Sequence, residues 1–307
     1  MNSIGAKLTV FAIKSFSRLP FWFMYGLSDV LLFPALYYVI GYRRKVVAQN
    51  LKHSFPNKSD AELKRIEKKY YHHLCDLTLE SIKVFTITEE ELNKRLLVPD
   101  DDLINSYLHQ GKHAIILFGH IANWEYAASL FPSYLDGHSI GVYKPIKNKA
   151  VEKVMLDARA LTGMNLIPTS EISDYLKNYE LELPWVMALI ADQSPSPKKA
   201  FWLKWLNQNT GFFMGPELLS RKYNTPVFYW EYKKIKRGHY SFTNELLIED
   251  ASKLPYGSVI EKYAERLEKD IQENPELWIW SHKRWKHELP EDINPEQLSK
   301  TRPVSRG

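Results

Sequence analysis

The sequence predicts an α/β fold, with a mostly parallel central sheet covered by helices and an N-terminal membrane-anchoring helical segment. Between residues 101 and 289, short apolar runs alternate with stretches of helical periodicity, which is typical of a parallel sheet buried on both faces. The runs Ala114–Phe118 and Trp185–Ala191 are wholly apolar, as expected for central strands. Near the N-terminus, the 22 residues from Leu19 to Ile40 contain a single charged side chain, Asp29.

Four parts are expected along the 307 residues. Residues 1–45 form the N-terminal membrane anchor, and residues 46–100 form a helical region that leads into the main domain. Residues 101–289 form the α/β domain, and residues 290–307 form a loose polar tail. This length suits one large domain with appendages.

The apolar N-terminal segment approaches the length that a membrane requires. Its 22 residues, at about 1.5 Å each in a helix, can just cross a hydrocarbon core of about 30 Å. Its prolines, its glycine and Asp29 weaken a straight spanning helix, whereas its tryptophan and tyrosines favour the membrane interface. Basic residues flank both ends, so the positive-inside rule predicts no orientation. We expect a membrane anchor or an interfacial helical hairpin; the alternative is a buried helix of a soluble protein.

Two helices are expected after this segment. The pattern from Arg43 to Leu51 is helical, and Phe55-Pro56-Asn57 breaks it. Ser59 or Asp60 then caps a long helix that is expected to reach Phe85, because apolar and aromatic residues recur near the helical period. The opposite face of this helix is basic, which fits either a solvated surface or contact with lipid phosphates.

The remaining strands are predicted from short apolar runs, and the remaining helices from stretches of helical periodicity. The expected helices are 101–109, 124–130, 150–161, 172–179, 216–223 and 257–273. The expected strands are 114–118, 139–143, 165–168, 185–191, 227–232 and 240–248, the last two forming a pair.

Composition narrows the function classes. The net charge of +5 and the high content of tryptophan and tyrosine suit an anionic membrane surface or an acidic ligand. The single cysteine, Cys75, excludes an internal disulfide. No group of cysteines and histidines has zinc spacing, so neither a metal nor another cofactor is expected. The basic residues are dispersed and match no nucleic-acid-binding module, so nucleic acid is not an expected partner.

A histidine and a glutamate follow the first of the expected central strands. The sequence there is FGHIANWEYA, which places His120 at the strand exit and Glu125 in the first turn of the next helix. Gly119 permits a sharp exit, and Asn123 is a favoured N-cap. A carboxylate that orients an imidazole makes a general base for a hydroxyl proton. The alternative is a histidine that is simply hydrogen-bonded at a strand end.

This motif and its surroundings resemble the lysophospholipid-acyltransferase-like late acyltransferases of lipid A biosynthesis, whose motif is His-x4-Asp/Glu after an apolar strand. The resemblance covers nearly the whole chain. The block YRRKVVAQNLKHSFP (Tyr42–Pro56) resembles the family's segment after its anchor. Further matches follow in order: Tyr143-Lys144-Pro145 for Tyr-Arg-Pro, Arg159 with Gly163, Asp192-Gln193, and the ending WIWSHKRWKHELP.

The resemblance implies acyl transfer from a thioester, usually on acyl carrier protein, to a hydroxyl of a lipid acceptor. His120 is then the general base and Glu125 its orienting partner. Arg159 is a third catalytic candidate, which would stabilise charge on the tetrahedral intermediate or bind a phosphate. In a lipid A precursor, the acceptor hydroxyl belongs to a 3-hydroxyacyl chain on the glucosamine disaccharide.

Four further residues are candidates for substrate binding: Lys144, Asp192, Gln193 and Asn123. Lys144 stands where the family has arginine, so it can neutralise a phosphate but lacks the bidentate fork. Asp192 and Gln193 either shape the site or cap a turn.

Three other interpretations stay open from the residues alone. The same chemistry can act on an aminolipid, a glycolipid or a lysophospholipid, because acceptor choice lies in pocket shape. A hydrolase is less supported, because the chain has no Gly-x-Ser-x-Gly motif. The third is a non-catalytic lipid-binding membrane protein.

For the acyltransferase, a cytosolic donor places the catalytic domain at the cytoplasmic face of the inner membrane.

Overall fold

The computed structural model describes residues 3–98, 102–146, 148–180 and 182–298. Asp101, where one helix was expected to begin, and residues 299–307 of the expected polar tail lie outside these ranges. The strands are β1 Leu96–Leu97, β2 Ala114–Phe118, β3 His138–Tyr143, β4 Asn165–Pro168, β5 Trp185–Ile190, β6 Ala200–Trp205, β7 Gln208–Phe213, β8 Val227–Lys236 and β9 His239–Ile248. The α-helices are α1 Ser3–Ser17, α2 Phe21–Leu27, α3 Arg44–Ser54, α4 Asp60–Lys83, α5 Glu89–Asn93, α6 Leu103–Leu108, α7 Trp124–Leu130, α8 Lys149–Arg159, α9 Ile172–Lys177, α10 Gly215–Tyr223 and α11 Ser258–Glu273.

A seven-stranded sheet, in the order β1-β9-β8-β2-β5-β3-β4, forms the centre of the molecule. The strands from β8 to β4 in this order run parallel to one another, whereas β9 is antiparallel to β8 and carries β1 at the edge. Helices flank the sheet, so the predicted α/β class is confirmed. The predicted pairing of the two strands near residues 230 and 245 is also confirmed.

The two central strands set the geometry of the site. All five residues of β2 are buried, as its uninterrupted apolar sequence predicts. Strand β2 pairs with β5 from Ala114 opposite Val186 to Phe118 opposite Ile190. The chain therefore leaves both strands at neighbouring points on the same edge of the sheet.

A two-stranded hairpin, β6 with β7, lies outside the main sheet and was not predicted. Polar residues such as Lys204 and Asn209 interrupt its apolar pattern, although Trp205 and Phe212 are buried. The two residues that connect the strands, Leu206 and Asn207, both have positive φ, as in a type I′ turn. The sequence carries no Asn-Gly or Asp-Gly dipeptide there to signal such a turn.

The long helix α4 begins as expected. The Ser59 hydroxyl accepts a hydrogen bond from the Glu62 backbone N–H, and the Glu62 carboxylate accepts one from the Ser59 backbone N–H. This capping box satisfies donors at the helix start.

The N-terminal apolar segment packs on α4. Helix α2 continues through two π-helical turns, Ser28–Leu32 and Ala35–Val39. Among the described residues, Phe21–Val39 is the one helix whose length and composition would allow it to cross a membrane. Phe33 and Tyr37 nevertheless belong to the same hydrophobic core as the central sheet.

Glu80, on α4, connects this segment to the sheet and to α7. Its buried carboxylate accepts hydrogen bonds of 2.8 Å from Tyr25 Oη, Asn123 Nδ2 and Tyr240 Oη. Burial raises the pKa of Glu80, while the three donated bonds act to lower it. One side chain thus joins α2, α4, α7 and β9.

Replacing Glu80 by alanine should lower the free energy of unfolding by about 3 kcal/mol, because two buried donors and one partly buried donor lose their acceptor. Urea unfolding followed by tryptophan fluorescence measures this change. Glu265→Ala, at an exposed glutamate within α11, is the matched control and should change the stability by less than about 0.5 kcal/mol. Equal effects of the two substitutions would show that Glu80 does not hold these elements together.

Candidate active site

The candidate site lies at the carboxyl edge of the parallel strands, where β2 and β5 end. His120 lies two residues beyond Phe118, and Asp192 lies two residues beyond Ile190, the last ladder pair. The register therefore brings an imidazole and a carboxylate together from two neighbouring strands. Ligand sites of open parallel sheets commonly occur at this edge.

Asp192 makes two hydrogen-bond contacts with His120. The imidazole Nδ1 is 2.5 Å from Asp192 Oδ1, and the His120 backbone N–H donates to Asp192 Oδ2 over 2.8 Å. Trp278 Nε1 donates a further hydrogen bond of 2.9 Å to Oδ2. Asp192 is fully enclosed, whereas the His120 side chain keeps 14% of its surface exposed. The carboxylate is thus buried behind the imidazole, and His120 is the residue of the pair that solvent can reach.

The electrostatics favour an ionised Asp192. Burial acts to raise its pKa, but the charge of the His120 imidazolium and the hydrogen bonds from His120 and Trp278 lower it to about 2. A carboxylate facing Nδ1 selects the tautomer with the proton on Nδ1 and leaves the Nε2 lone pair free. Gln193 Nε2 lies 3.2 Å from His120 Nε2 and can donate to that lone pair. A substrate hydroxyl would take the place of this amide.

The loop between β2 and α7 has little room for variation. A Cβ on Gly119 would lie 2.4 Å from Leu267 Cδ1 and 3.3 Å from Asp192 Oδ2, so a larger residue there would have to displace the buried Leu267 side chain. Ala122 has a φ of +53°, and its backbone N–H donates to the Leu277 carbonyl. These contacts hold the backbone that carries His120.

Asn123 caps α7, as predicted. Its side-chain oxygen accepts from the Tyr126 backbone N–H at 3.1 Å, while its amide nitrogen donates to Glu80. Both polar atoms are bonded within the protein, and the residue is fully buried. Asn123 was predicted to contact substrate, but neither of its polar side-chain atoms is exposed.

Glu125 has a different partner from the one expected. Its carboxylate forms a two-pronged ion pair with Arg159, with Nε to Oε2 at 2.9 Å and Nη2 to Oε1 at 2.7 Å. Trp124 Nε1 also donates to Oε1 at 3.2 Å. The expected orientation of His120 by Glu125 is thus corrected: Asp192 orients the imidazole, because the neighbouring strand end brings that carboxylate directly to Nδ1.

Arg159 lies at the C-terminal end of α8. Burial acts to lower the pKa of its guanidinium, but the hydrogen bonds and charge of Glu125 outweigh burial and raise it. The pair links α7 to α8, and a catalytic role for either residue stays a prediction. Lys144 is exposed just after β3, the strand next to β5 in the sheet, so a phosphate can approach its ammonium group.

The ending WIWSHKRW contributes residues whose roles were not predicted. Arg284 is 3% exposed, donates to the Gly211 carbonyl at 2.7 Å and lies over the Phe212 ring. Burial lowers the pKa of Arg284 to about 10, although Asp192 opposes this effect. Burial also lowers the pKa of His282 to about 4. Arg284 and Trp280, which is fully buried, are therefore not available to contact lipid headgroups.

No signal in a single sequence separates Trp278, the donor to Asp192, from the other tryptophans near it. Its position two residues before Trp280 identifies a cluster, and only the folded structure shows which indole reaches the carboxylate.

Residues 4–287 match the family model described as bacterial lipid A biosynthesis acyltransferase. Because the match covers nearly the whole chain, the protein belongs to this acyltransferase family. No curated protein matches the sequence. The family was anticipated from the ordered motifs, and the match confirms it.

The low pKa of Asp192 predicts a stability change in acid. Its folded pKa of about 2 lies below its ordinary value of 3.8, so its contribution is complete above pH 4 and is lost as the pH falls towards 2. Wild-type protein should lose about 1 kcal/mol more than Asp192→Asn between pH 6 and pH 3. Urea unfolding at each pH tests this, and parallel stability curves for the two proteins would contradict it.

Proposed function

We propose that the protein transfers a fatty acyl chain from an acyl thioester to a hydroxyl of a lipid A precursor, with His120 as general base. The expected donor is acyl carrier protein. The observation that carries the proposal is the His120–Asp192 pair. The enclosed Asp192 binds Nδ1 of a partly exposed imidazole, which leaves Nε2 for a substrate hydroxyl in place of the Gln193 amide. Membership of a lipid A acyltransferase family supports the substrate class.

The proposed reaction begins with proton transfer from the acceptor hydroxyl to His120 Nε2. The oxygen then attacks the thioester carbonyl carbon, and a tetrahedral oxyanion forms. Collapse of this intermediate breaks the carbon–sulfur bond, and the departing thiolate takes the proton from the imidazolium. Asp192 stabilises the positive charge on His120 while that charge exists. Acceptor and imidazole are neutral again at the end, so the cycle needs no external proton source.

Two cationic side chains, Arg159 and Lys144, suit the charges that these substrates carry. Arg159 is held rigidly by Glu125, and a fixed guanidinium can stabilise a developing oxyanion or hold a phosphate. Lys144 is exposed, and an accessible ammonium group suits a phosphate on the acceptor or donor. In this proposal Glu125 positions Arg159 and does not act on the imidazole.

We place the enzyme at the inner membrane, with the α/β domain on the cytoplasmic face. Acyl carrier protein is a cytosolic donor, and a lipid acceptor resides in the membrane. The apolar helix Phe21–Val39 supports membrane attachment.

Substitutions in the proposed base should abolish turnover while leaving substrate binding nearly intact. His120→Ala and Asp192→Asn should each lower kcat by about 10³-fold, with KM changed by less than about threefold. The assay follows transfer from acyl carrier protein thioester to a hydroxyacylated glucosamine disaccharide by mass spectrometry.

The chain supplies a matched control. His109 and Asp136 form another histidine–carboxylate pair, with a 2.8 Å contact on the exposed surface. His109→Ala and Asp136→Asn should retain wild-type kcat. Wild-type turnover by His120→Ala would refute the assignment of the base. Failure of wild-type protein to acylate this acceptor, with transfer to an aminolipid, glycolipid or lysophospholipid, would replace the proposed acceptor.

A further inference from the structure

The N-terminal apolar segment shows one face to solvent and another to the protein. Trp22, Val30 and Val39 are each at least three-quarters exposed. Met24, Phe33 and Tyr37 are buried against the rest of the chain. The remaining large exposed apolar residues of the solvent face are Phe23, Leu31, Tyr38 and Ile40.

The polar residues of the same segment are bound to α4 and to the turn between β8 and β9. Tyr25 Oη donates to Glu80 at 2.8 Å, and Ser28 Oγ donates to Asp76 at 2.7 Å. Asp29 accepts two hydrogen bonds from the Arg237 guanidinium, at 2.8 and 2.7 Å. The polar side chains are therefore satisfied by the protein, and the outward face is left apolar.

These bonds oppose a spanning arrangement. Arg237 and Gly238 form the turn between β8 and β9, and a Cβ on Gly238 would clash with Tyr25 Oη. Arg237 also binds Asp76 on α4. A helix that crossed the bilayer would have to carry this turn into the hydrocarbon or break its contacts with it. Charged groups and irregular backbone in contact with lipid are both unfavourable there.

The segment lies at the end of the sheet that carries the site. Strand β8 runs parallel to β2, so the Arg237 turn and His120 both follow carboxyl ends of neighbouring strands. An apolar surface at this end brings a membrane and the proposed base to the same side of the molecule. A lipid acceptor could then reach the site without leaving the bilayer surface completely.

The charges around the exposed apolar face complement anionic headgroups. Lys14 and Arg18 precede the segment and Lys45 follows it, all exposed. Lys68 is exposed on α4, one turn before His72, whose ring stacks on Phe33. Basic residues beside an apolar face are typical of helices that lie in the headgroup region of anionic membranes.

From these contacts we propose that residues 21–40 lie in the plane of a single leaflet of an anionic phospholipid bilayer and do not cross it. The apolar face enters the boundary between headgroups and acyl chains, and both ends of the segment stay on the side of the α/β domain. This inference deepens the membrane location in the proposed function and rests on it.

Cysteine labelling of the two ends tests the topology. Lys14→Cys and Lys45→Cys are made separately, and Cys75, which is buried, gives the background in the unsubstituted protein. A membrane-impermeant maleimide should label both variants in sealed inverted inner-membrane vesicles and neither variant in spheroplasts. Labelling of one variant in each preparation would overturn the proposal, because it requires the ends to lie on opposite sides.

Vesicle binding tests the apolar face separately. Val30→Ser combined with Leu31→Ser should weaken sedimentation with phosphatidylethanolamine–phosphatidylglycerol vesicles by about tenfold or more. Leu183→Ser is the matched control, because Leu183 is similarly exposed but precedes β5 at the opposite edge of the sheet, and it should bind as wild type does. Unchanged binding of the double variant would overturn the surface assignment.

Different results would refute the membrane location and the proposed acyl transfer. Absence of wild-type binding to these vesicles would refute the membrane location itself. Acyl transfer measured in detergent micelles would still report on the proposed reaction, whatever the labelling shows.

Discussion

The hydrogen bond between His120 and Asp192 joins two neighbouring parallel strands just beyond their last paired residues, and the rest of the site is arranged around it. Its geometry depends on the register of β2 with β5 and on the close packing of Gly119 against Leu267 and Asp192. Trp278 completes the surroundings of the carboxylate. Because Asp192 is enclosed and ionised, it can hold one tautomer of the imidazole and stabilise the charge that forms on it. The chemistry follows from strand order and burial.

Helix α7 connects this base to the surface that we assign to the membrane. Its cap, Asn123, donates to Glu80, which also accepts from Tyr25 in the N-terminal segment. In its first turn, Glu125 forms a two-pronged ion pair with Arg159 at the end of α8. Consecutive contacts thus link the packing of the apolar segment to the start of α7. Through Glu125 they continue to Arg159, the candidate oxyanion-binding residue. This arrangement gives a physical reason for an N-terminal segment that packs against the enzyme as well as facing lipid.

Much of the fold was predictable from local pattern. Strand β2 and helix α7 have the predicted bounds, because an uninterrupted apolar run and a capping asparagine are strong local signals. The hairpin β6–β7 was not predicted, because its polar residues break the apolar pattern of a strand and its turn lacks an Asn-Gly or Asp-Gly dipeptide. Site residues were found by type and order, but their partners were not. Register is a property of the paired strands. From the sequence alone, Asp192 was therefore a candidate for substrate binding or for capping a turn, and Glu125 was given the role of orienting the imidazole.

The tautomer of His120 tests the central claim most directly. Long-range ¹H–¹⁵N correlation spectroscopy of histidine-labelled protein, with the His120 signals identified by their loss in His120→Gln, distinguishes the two ring nitrogens. We expect neutral His120 to carry its proton on Nδ1, with Nε2 showing the shift of an unprotonated nitrogen. A proton on Nε2 of the neutral ring would contradict the assignment, because that nitrogen could not then accept the proton of a hydroxyl.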